Sequence, residues 1–174
     1  MQGDDEGDFS TFVSARWPAL VKTAYLLTGD FHEAEDLVQS TLAKVYPQWR
    51  RVRSETVDAY VRTALVNNNR SRHRRRRVAQ LLTPLVPDRP SPAGGPGDGQ
   101  GGDRDLLVSV LAELPERQRA VVVLRYWEDL SAEEVASMLG CSVGTVKSQA
   151  SRALAKLREH PGLEPYALSG LGAR

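Results

Sequence analysis

Apolar residues between positions 34 and 49 recur at steps of three and four along the chain. That spacing places side chains on one face of a helix, where the rest of the fold can bury them. Asp30, with Glu33 three residues later, predicts a capping box at the start of this helix. Pro47 predicts a strained last turn. The predicted inner stripe consists of Ala34, Leu37, Val38, Thr41, Leu42, Val45, Tyr46 and Trp49.

Helical spacing also runs through the segments on either side. The preceding helix carries its apolar face at Phe9, Phe12, Val13, Leu20, Val21, Ala24 and Leu27. The following helix starts after Thr56, and its predicted inward-facing residues are Val57, Tyr60, Val61, Ala64 and Leu65. No segment shows the alternation of apolar and polar residues that marks a half-buried strand. The pattern therefore predicts an all-α protein.

The second half of the chain is also helical, and its boundaries are sharper. A helix from Glu116 to about Trp127 follows a shorter one that ends near Leu114–Pro115 and has apolar positions at Leu106, Leu107, Val110 and Leu111. In "LSAEEVASMLG", Ser131 and Glu134 predict a capping box, with Leu130 and Val135 as its hydrophobic staple. Gly140 ends that helix, and Ser142 is the predicted N-cap of the next one.

A segment rich in glycine and proline separates the two halves. Between positions 84 and 102, five residues are Pro and six are Gly, which leaves few apolar side chains to offset the entropy of ordering. The sequence thus predicts two small helical domains, at 1–80 and 105–160, joined by a flexible linker at 81–104 and followed by a tail at 161–174.

Charge is unevenly distributed although the formal net charge is only +1. Residues 1–40 carry eight acids and two bases, whereas residues 41–78 carry eleven bases and two acids, a local charge of +9. Such a division predicts an anionic partner for one surface and a different partner for another.

Several classes of protein are disfavoured by the sequence. There is no apolar run near 18 residues, and the acidic start "MQGDDEGDF" lacks the features of a signal peptide. The single cysteine, Cys141, and three scattered histidines predict no disulfide and no metal site. We therefore expect a reduced, cytoplasmic protein without cofactors and without a small-molecule substrate.

The two capped helices around "GCS" form a candidate helix-turn-helix. The last helix would bury Val146, Ala150, Ala153, Leu154 and Leu157 on one side. Its other side is small, polar and cationic, which a helix needs if it is to enter the major groove of DNA. The alternative is the solvated face of an ordinary bundle helix. The candidate DNA contacts are Thr145, Lys147, Ser148, Ser151 and Arg152.

The stretch "NNNRSRHRRRR" at 67–77 continues directly from a predicted amphipathic helix. It could extend that helix as a ridge that follows DNA phosphates, or form an unstructured basic tract. The amides of the three asparagines could pair with base edges. Alternatively Asn68, which falls on the inner stripe, is a buried polar group with internal partners.

Longer stretches resemble a known family. "EAEDLVQSTLAKVYPQW" and "AYVRTALVNNNRSRHRRRR" resemble region 2 of extracytoplasmic-function sigma factors, and "LPERQRAVVVLRYWEDLSAEEVASMLGCSVGTVKSQASRALAKLRE" resembles their region 4. The resemblance covers about 8–78 and 105–160, and the composition suits a high-GC actinobacterial source. Lys147 and Ser151 stand where relatives can carry Arg and an aromatic residue, so the −35 sequence cannot be carried over.

The resemblance implies a non-catalytic subunit that binds core RNA polymerase, through its β′ clamp and β subunits, and directs it to promoter DNA. Asp36 and Gln39 match the motif that docks on the clamp. Asn67 aligns with an asparagine that holds a flipped base of the −10 element, and Arg70, Arg74 and Arg75 would hold the nearby backbone. Lys147, Ser148, Ser151 and Arg152 align with −35 contacts. An anti-sigma factor is a further candidate partner.

Two other functions compete with this one. A stand-alone helix-turn-helix regulator would need a sensor or dimerisation domain in the first half, where no ligand-pocket or phospho-receiver pattern is present. A nucleic-acid-processing enzyme would need a convincing metal or acid–base arrangement, which His32, His73 and His160 do not supply.

Overall fold

The computed structural model describes residues 2–52, 56–82 and 101–163, and every regular element in those ranges is helical. The chain divides into two compact units, Met1–Pro92 and Ala93–Arg174. In the first unit the helices are α1 (Gln2–Thr28), α2 (Phe31–Val45), α3 (Trp49–Val52) and α4 (Val57–Leu82), and in the second they are α5 (Gly101–Ala112), α6 (Glu116–Val122), α7 (Ala132–Leu139) and α8 (Val143–Arg158). The predicted all-α fold is confirmed.

The first unit is a bundle in which α1 and α4 both pack against α2. Its core is the predicted stripe of α2 together with the apolar faces of the neighbouring helices. The buried members are Val21, Ala24, Ala34, Leu37, Val38, Leu42, Val45, Trp49, Val61 and Leu65. Phe9 and Phe12 close one end of this core by packing on Trp49, with ring centroids 4.9 and 5.1 Å from it.

Two tyrosines predicted to face inward are instead exposed. Pro47 lies in a 3₁₀ turn, Tyr46–Gln48, which tightens the chain after α2 and shifts the phase of the stripe. Tyr46 is therefore 47% exposed although its ring still touches Phe9, whereas Trp49 returns to the core. Tyr60 is 36% exposed because its hydroxyl points outward and donates to Gln48 Oε1 at 3.0 Å.

One of the two hydrogen bonds of the predicted capping box is present at the start of α2. The Asp30 carboxylate accepts from the Glu33 backbone N–H at 2.8 Å, as an N-cap should. The Glu33 carboxylate, which the capping box would turn back to the Asp30 backbone, is bound by Arg76 of α4 at 2.9 Å. A contact between distant parts of the sequence thus takes the place of a local one.

The second unit is organised around α8, against which α6 and α7 both pack. The helix predicted from Glu116 to Trp127 has that extent, but its last five residues, Val123–Trp127, form a π-helical turn that the sequence pattern did not indicate. Val121, Val123, Leu124 and Val135 are among its most buried side chains.

Arg119 is the one buried arginine among the described residues. Its Nη2 donates to the backbone carbonyls of Ala112 at 2.6 Å and Leu114 at 3.3 Å. It therefore satisfies carbonyls at and just beyond the end of α5, which have no partner within the helix. Burial lowers the pKa of the Arg119 guanidinium, and the nearby Glu116 carboxylate opposes that shift.

The turn between α7 and α8 has the predicted chemistry. Ser131 and Glu134 form a complete capping box at the start of α7. Gly140 ends that helix in the left-handed conformation, with φ 62°. Ser142 caps α8 by accepting from the Thr145 backbone N–H at 3.1 Å. The helix-turn-helix is thus built from signals only a few residues apart.

The predicted linker and tail lie largely outside the described residues. Within them, α4 continues to Leu82, α5 begins at Gly101, and a 3₁₀ turn covers Pro161–Leu163. No helix of the described ranges is long and apolar enough to cross a membrane.

Candidate nucleic-acid interface

The outer face of α8 carries the predicted −35 contacts. Lys147, Ser148, Ser151 and Arg152 are all exposed, whereas the opposite face, with Val146, Ala150, Ala153, Leu154 and Leu157, is buried. The structure thus brings the four predicted side chains together on one accessible surface of the second unit. Small side chains among them would let the helix backbone approach DNA closely.

Local hydrogen bonds divide the α8 candidates into two groups. Thr145 is half-buried, and its hydroxyl lies 2.8 Å from that of the N-cap, Ser142. Ser148 donates to the Thr145 carbonyl at 3.0 Å. Within the described residues, the side chains of Lys147, Ser151 and Arg152 have no such internal bond, so their donors remain available to a ligand.

The three asparagines of α4 differ sharply in exposure. Asn67 is exposed, whereas Asn68 and Asn69 are buried at 7% and 4% exposure. The Asn68 amide nitrogen donates to the hydroxyls of Ser40 at 2.9 Å and Thr41 at 3.0 Å. Its carbonyl oxygen accepts from Lys44 Nζ at 2.5 Å. Asn68 is therefore a buried polar group with internal partners, which is the alternative to base pairing given above. Asn67 is the asparagine whose side chain is accessible to a base.

The arginine run is helical throughout, as part of α4. Arg74, Arg75 and Arg77 are exposed, and Arg70 is half-buried. The interpretation of this run as a continuation of the amphipathic helix is confirmed, and that of an unstructured tract is wrong.

Two arginines of the run contact α2, which the sequence did not indicate. Arg72 Nη1 donates to the Glu33 backbone carbonyl at 3.4 Å, and Arg76 pairs with the Glu33 carboxylate. Residues 72 and 76 are four apart and so lie on one side of α4. The run therefore has one side turned to α2 and another to solvent, and the basic charge is not wholly available to DNA.

Asp36 and Gln39, the predicted polymerase contacts, are both exposed on α2. Their neighbours Leu37 and Val38 are completely buried in the core of the first unit. The face predicted for docking is therefore accessible while the same turns of helix hold the bundle together.

The residues that sequence reasoning missed all act through contacts between helices. The sequence pattern indicates only a capping role for Glu33, and it indicates no part in the site for Ser40, Thr41 and Lys44. One signal was available: Asn68 falls on the inner stripe of its helix, and a buried amide requires polar partners. In the described part of the chain, no cluster of three or more His, Cys, Asp or Glu side chains could hold a metal ion.

Two family models match the chain in the order of its two units. Residues 8–78 match sigma-70 region 2, and residues 104–157 match sigma-70 region 4. Both candidate DNA-facing helices lie within these matches, since the first match contains all but the last turn of α4 and the second contains all but the last residue of α8.

Relatives that align over most of the chain are also sigma factors. The chain is 40% identical over 153 residues to an RNA polymerase sigma-E factor of Streptomyces coelicolor, covering 87% of this chain and 85% of that protein. It is 33% identical over 173 residues to the ECF RNA polymerase sigma factor SigE of Mycolicibacterium smegmatis, covering 90% and 65%.

Solved structures show the same architecture. The sigma factor RpoE of Bartonella quintana, solved in complex with the anti-sigma factor NepR, is 30% identical with a TM-score of 0.66, and the match covers 87% of this chain and 95% of that one. CnrH, in complex with the cytosolic domain of CnrY, shares the fold at 23% identity and a TM-score of 0.59, over 97% and 91%. The chain therefore belongs to the sigma-70 family, as an extracytoplasmic-function sigma factor of the actinobacterial sigma-E type.

Proposed function

We propose that this sigma factor docks on core RNA polymerase through the outer face of α2 and reads a promoter with two separate helices, α4 and α8. The observation that carries the proposal is the exposure pattern. In each unit the residues that align with family contacts are exposed, while most of them are next to a buried residue, such as Leu37, Val66 or Ala153.

The second unit would read the −35 element. An α-helix fits the major groove, where Arg or Lys can donate to guanine O6 and N7. Arg152 and Lys147 are exposed on α8, and their side-chain donors have no internal hydrogen bond within the described residues. Arg152 is our candidate for the base contact, because its planar guanidinium can make a bidentate bond that discriminates between bases.

The first unit would read and open the −10 element. Asn67 is exposed on α4, and an amide can pair with the edge of a base that has left the stack. Arg70, Arg74 and Arg75 would bind the phosphates beside it, which supplies affinity and register without sequence information. The arginine run and the asparagine thus have different tasks on one helix.

Polymerase would bind through Asp36 and Gln39. An exposed carboxylate beside an amide suits a basic, hydrogen-bonding partner surface. The same helix faces the core of the unit and carries the contacts to α4, so a docked polymerase would hold the DNA-reading helix in a defined place.

We further propose that the protein is a non-catalytic subunit that acts in the cytoplasm, at the nucleoid when bound to polymerase. The relative from Bartonella quintana was solved with an anti-sigma factor. An anti-sigma factor is accordingly our proposed regulator of this chain.

Run-off transcription tests the proposed function. Purified core polymerase is supplied with a promoter of a sigma-E-type relative, with and without this chain. We expect a transcript of defined start only when the chain is present, and no transcript from a template with a scrambled −10 element. A stand-alone regulator would bind DNA without enabling core to start at a defined site, and that outcome would refute the proposal.

A further inference from the structure

Asn68 lies between the two surfaces just described, and neither surface needs it for contact. Asp36, Ser40 and Lys44 are spaced four residues apart, so they form one stripe along α2. Asn68 reaches from α4 onto this stripe, bonding Ser40 and Lys44, with Thr41 beside them. One helical turn separates Ser40 from Asp36, and one peptide bond separates Asn68 from Asn67.

The chemistry of the partners fixes how the Asn68 amide is oriented. Lys44 can only donate, so it requires the carbonyl oxygen. The Ser40 and Thr41 hydroxyls already donate to the Leu37 carbonyl, at 3.1 and 2.7 Å, so they can only accept. Both amide hydrogens of Asn68 are thus used on α2, and the side chain has a single arrangement that satisfies every group.

Stability alone does not require this amide. If Asn68 were apolar, the Ser40 and Thr41 hydroxyls would keep their bonds to Leu37, and the exposed ammonium of Lys44 would turn to water. Replacing a buried polar residue by an apolar one of similar size is often neutral or stabilising when no partner is left unsatisfied. Buried polar groups of this kind can instead fix one packing register among several.

We propose that Asn68 is a positioning residue that fixes the register of α4 on α2, so that a base held by Asn67 and a polymerase docked at Asp36 occupy a defined mutual geometry. Asn68 touches neither DNA nor polymerase. It acts through Asn67, and it couples promoter opening to polymerase docking. The inference rests on the proposed function, because it assigns a role to the link between its two surfaces.

The test compares holoenzymes carrying Asn68→Leu, Asn67→Ala and both changes on one promoter. Thermal unfolding, affinity for core and permanganate reactivity of the −10 region are measured for each. We expect Asn68→Leu to bind core within about twofold of wild type and to unfold at no lower temperature. Its open complexes should fall about tenfold, the scale of the one or two hydrogen bonds that a misplaced Asn67 no longer makes to the base.

Non-additivity separates positioning from a general structural role. If Asn68 acts through Asn67, the double variant should form open complexes as poorly as Asn67→Ala alone, within about twofold. Losses that multiply, or normal opening by Asn68→Leu, would overturn the proposal. Should Asn68→Leu fail to fold, the Ser40→Ala/Thr41→Val pair removes the same acceptors from the α2 side, and normal opening by that pair overturns it equally.

Failure of the proposed function is visible in the same experiment. If the wild-type chain gives no core-dependent open complex, the function assigned above is wrong. If the wild-type chain opens the promoter and the Asn68 variants match it, only the positioning role is wrong.

Discussion

The two candidate DNA-facing helices, α4 and α8, are positioned by different kinds of contact. The start of α8 is defined by signals within a few residues: Gly140, which ends α7 in the left-handed conformation, and Ser142, the N-cap of α8. α4 has a long polar surface, and part of that surface is bound to α2 through Asn68, Arg72 and Arg76. No comparable side-chain bond from the outer face of α8 to another helix is found among the described residues.

This difference has a functional meaning. A helix whose outer face is free can read duplex DNA as an independent module, which suits the −35 element. Under the proposed function, α4 is bound to the helix that docks polymerase, so docking can control base capture at the element that must be opened. The polar residues of α4 therefore divide into exposed ones, which would bind DNA under the proposed function, and ones that hold α4 in place.

The largest effect should come from reversing the charge of Asp36. Asp36→Arg places a cation where we expect the polymerase surface to receive a carboxylate. Losing one partner of a desolvated charged contact costs about 2–5 kcal/mol, so affinity for core should fall at least about 30-fold. The measurement is a titration of labelled core with the variant, together with circular dichroism to show that helicity is normal.

Two controls accompany the Asp36 variant. Glu6→Arg makes the same charge change at an exposed position of α1 and should leave core affinity near that of wild type. Binding of the full chain to a −35 duplex should be unchanged in both, because both substitutions lie in the first unit and α8 lies in the second. Equal loss of core affinity in the two variants would show that net charge matters and the position does not.

Arg152 tests whether α8 reads bases or merely follows phosphates. Arg152→Ala should cost about 1–3 kcal/mol on the native −35 site and relax the preference at one base position. Arg158→Ala is the matched control, since Arg158 is exposed on the same helix but on a different side. A panel of promoter variants measures both. A sequence-neutral loss for Arg152 would leave Lys147 or Ser151 as the reader.

Much of the second unit could be predicted because its determinants are local. The capping box at Ser131, the stop at Gly140 and the cap at Ser142 each depend on residues at most four apart, and all three are present. The π-helical turn at Val123–Trp127 was not predicted, because the spacing of apolar residues does not distinguish it from an α-helical turn.

The first unit was harder to predict because its details depend on how helices meet. Periodicity predicts that Tyr60 faces inward, yet it lies near the start of α4, where its ring remains partly at the surface. The sequence predicts that Glu33 completes a local capping box, but Arg76, 43 residues away, binds its carboxylate instead. The choice between Asn67 and Asn68 likewise required the position of α2.

Substitutions of two glycines test whether residues near the start of α8 determine the stability of that helix. Gly140 has φ 62°, and a Cβ added there meets no atom within 4 Å, so Gly140→Ala is penalised by backbone conformation alone, by about 1 kcal/mol. In Gly144, inside α8, the added Cβ lies 3.8 Å from the Ser142 hydroxyl, so Gly144→Ala should stabilise by roughly 0.5–1 kcal/mol. Hydrogen exchange of the α8 amides reports both, and effects of the same sign would contradict local control.

The smallest effect distinguishes two adjacent arginines of α4. Arg75 is exposed, whereas Arg76 is already paired with Glu33. A phosphate contact contributes about 0.9 to the slope of log affinity against log salt, so Arg75→Ala should lower the slope by that amount on native and scrambled −10 sequences alike. Arg76→Ala should lower it less, because its charge is partly neutralised before DNA arrives. Holoenzyme binding at several salt concentrations gives both slopes, and a larger change for Arg76 would mean that DNA displaces Glu33 and that α4 is held less firmly than its contacts imply.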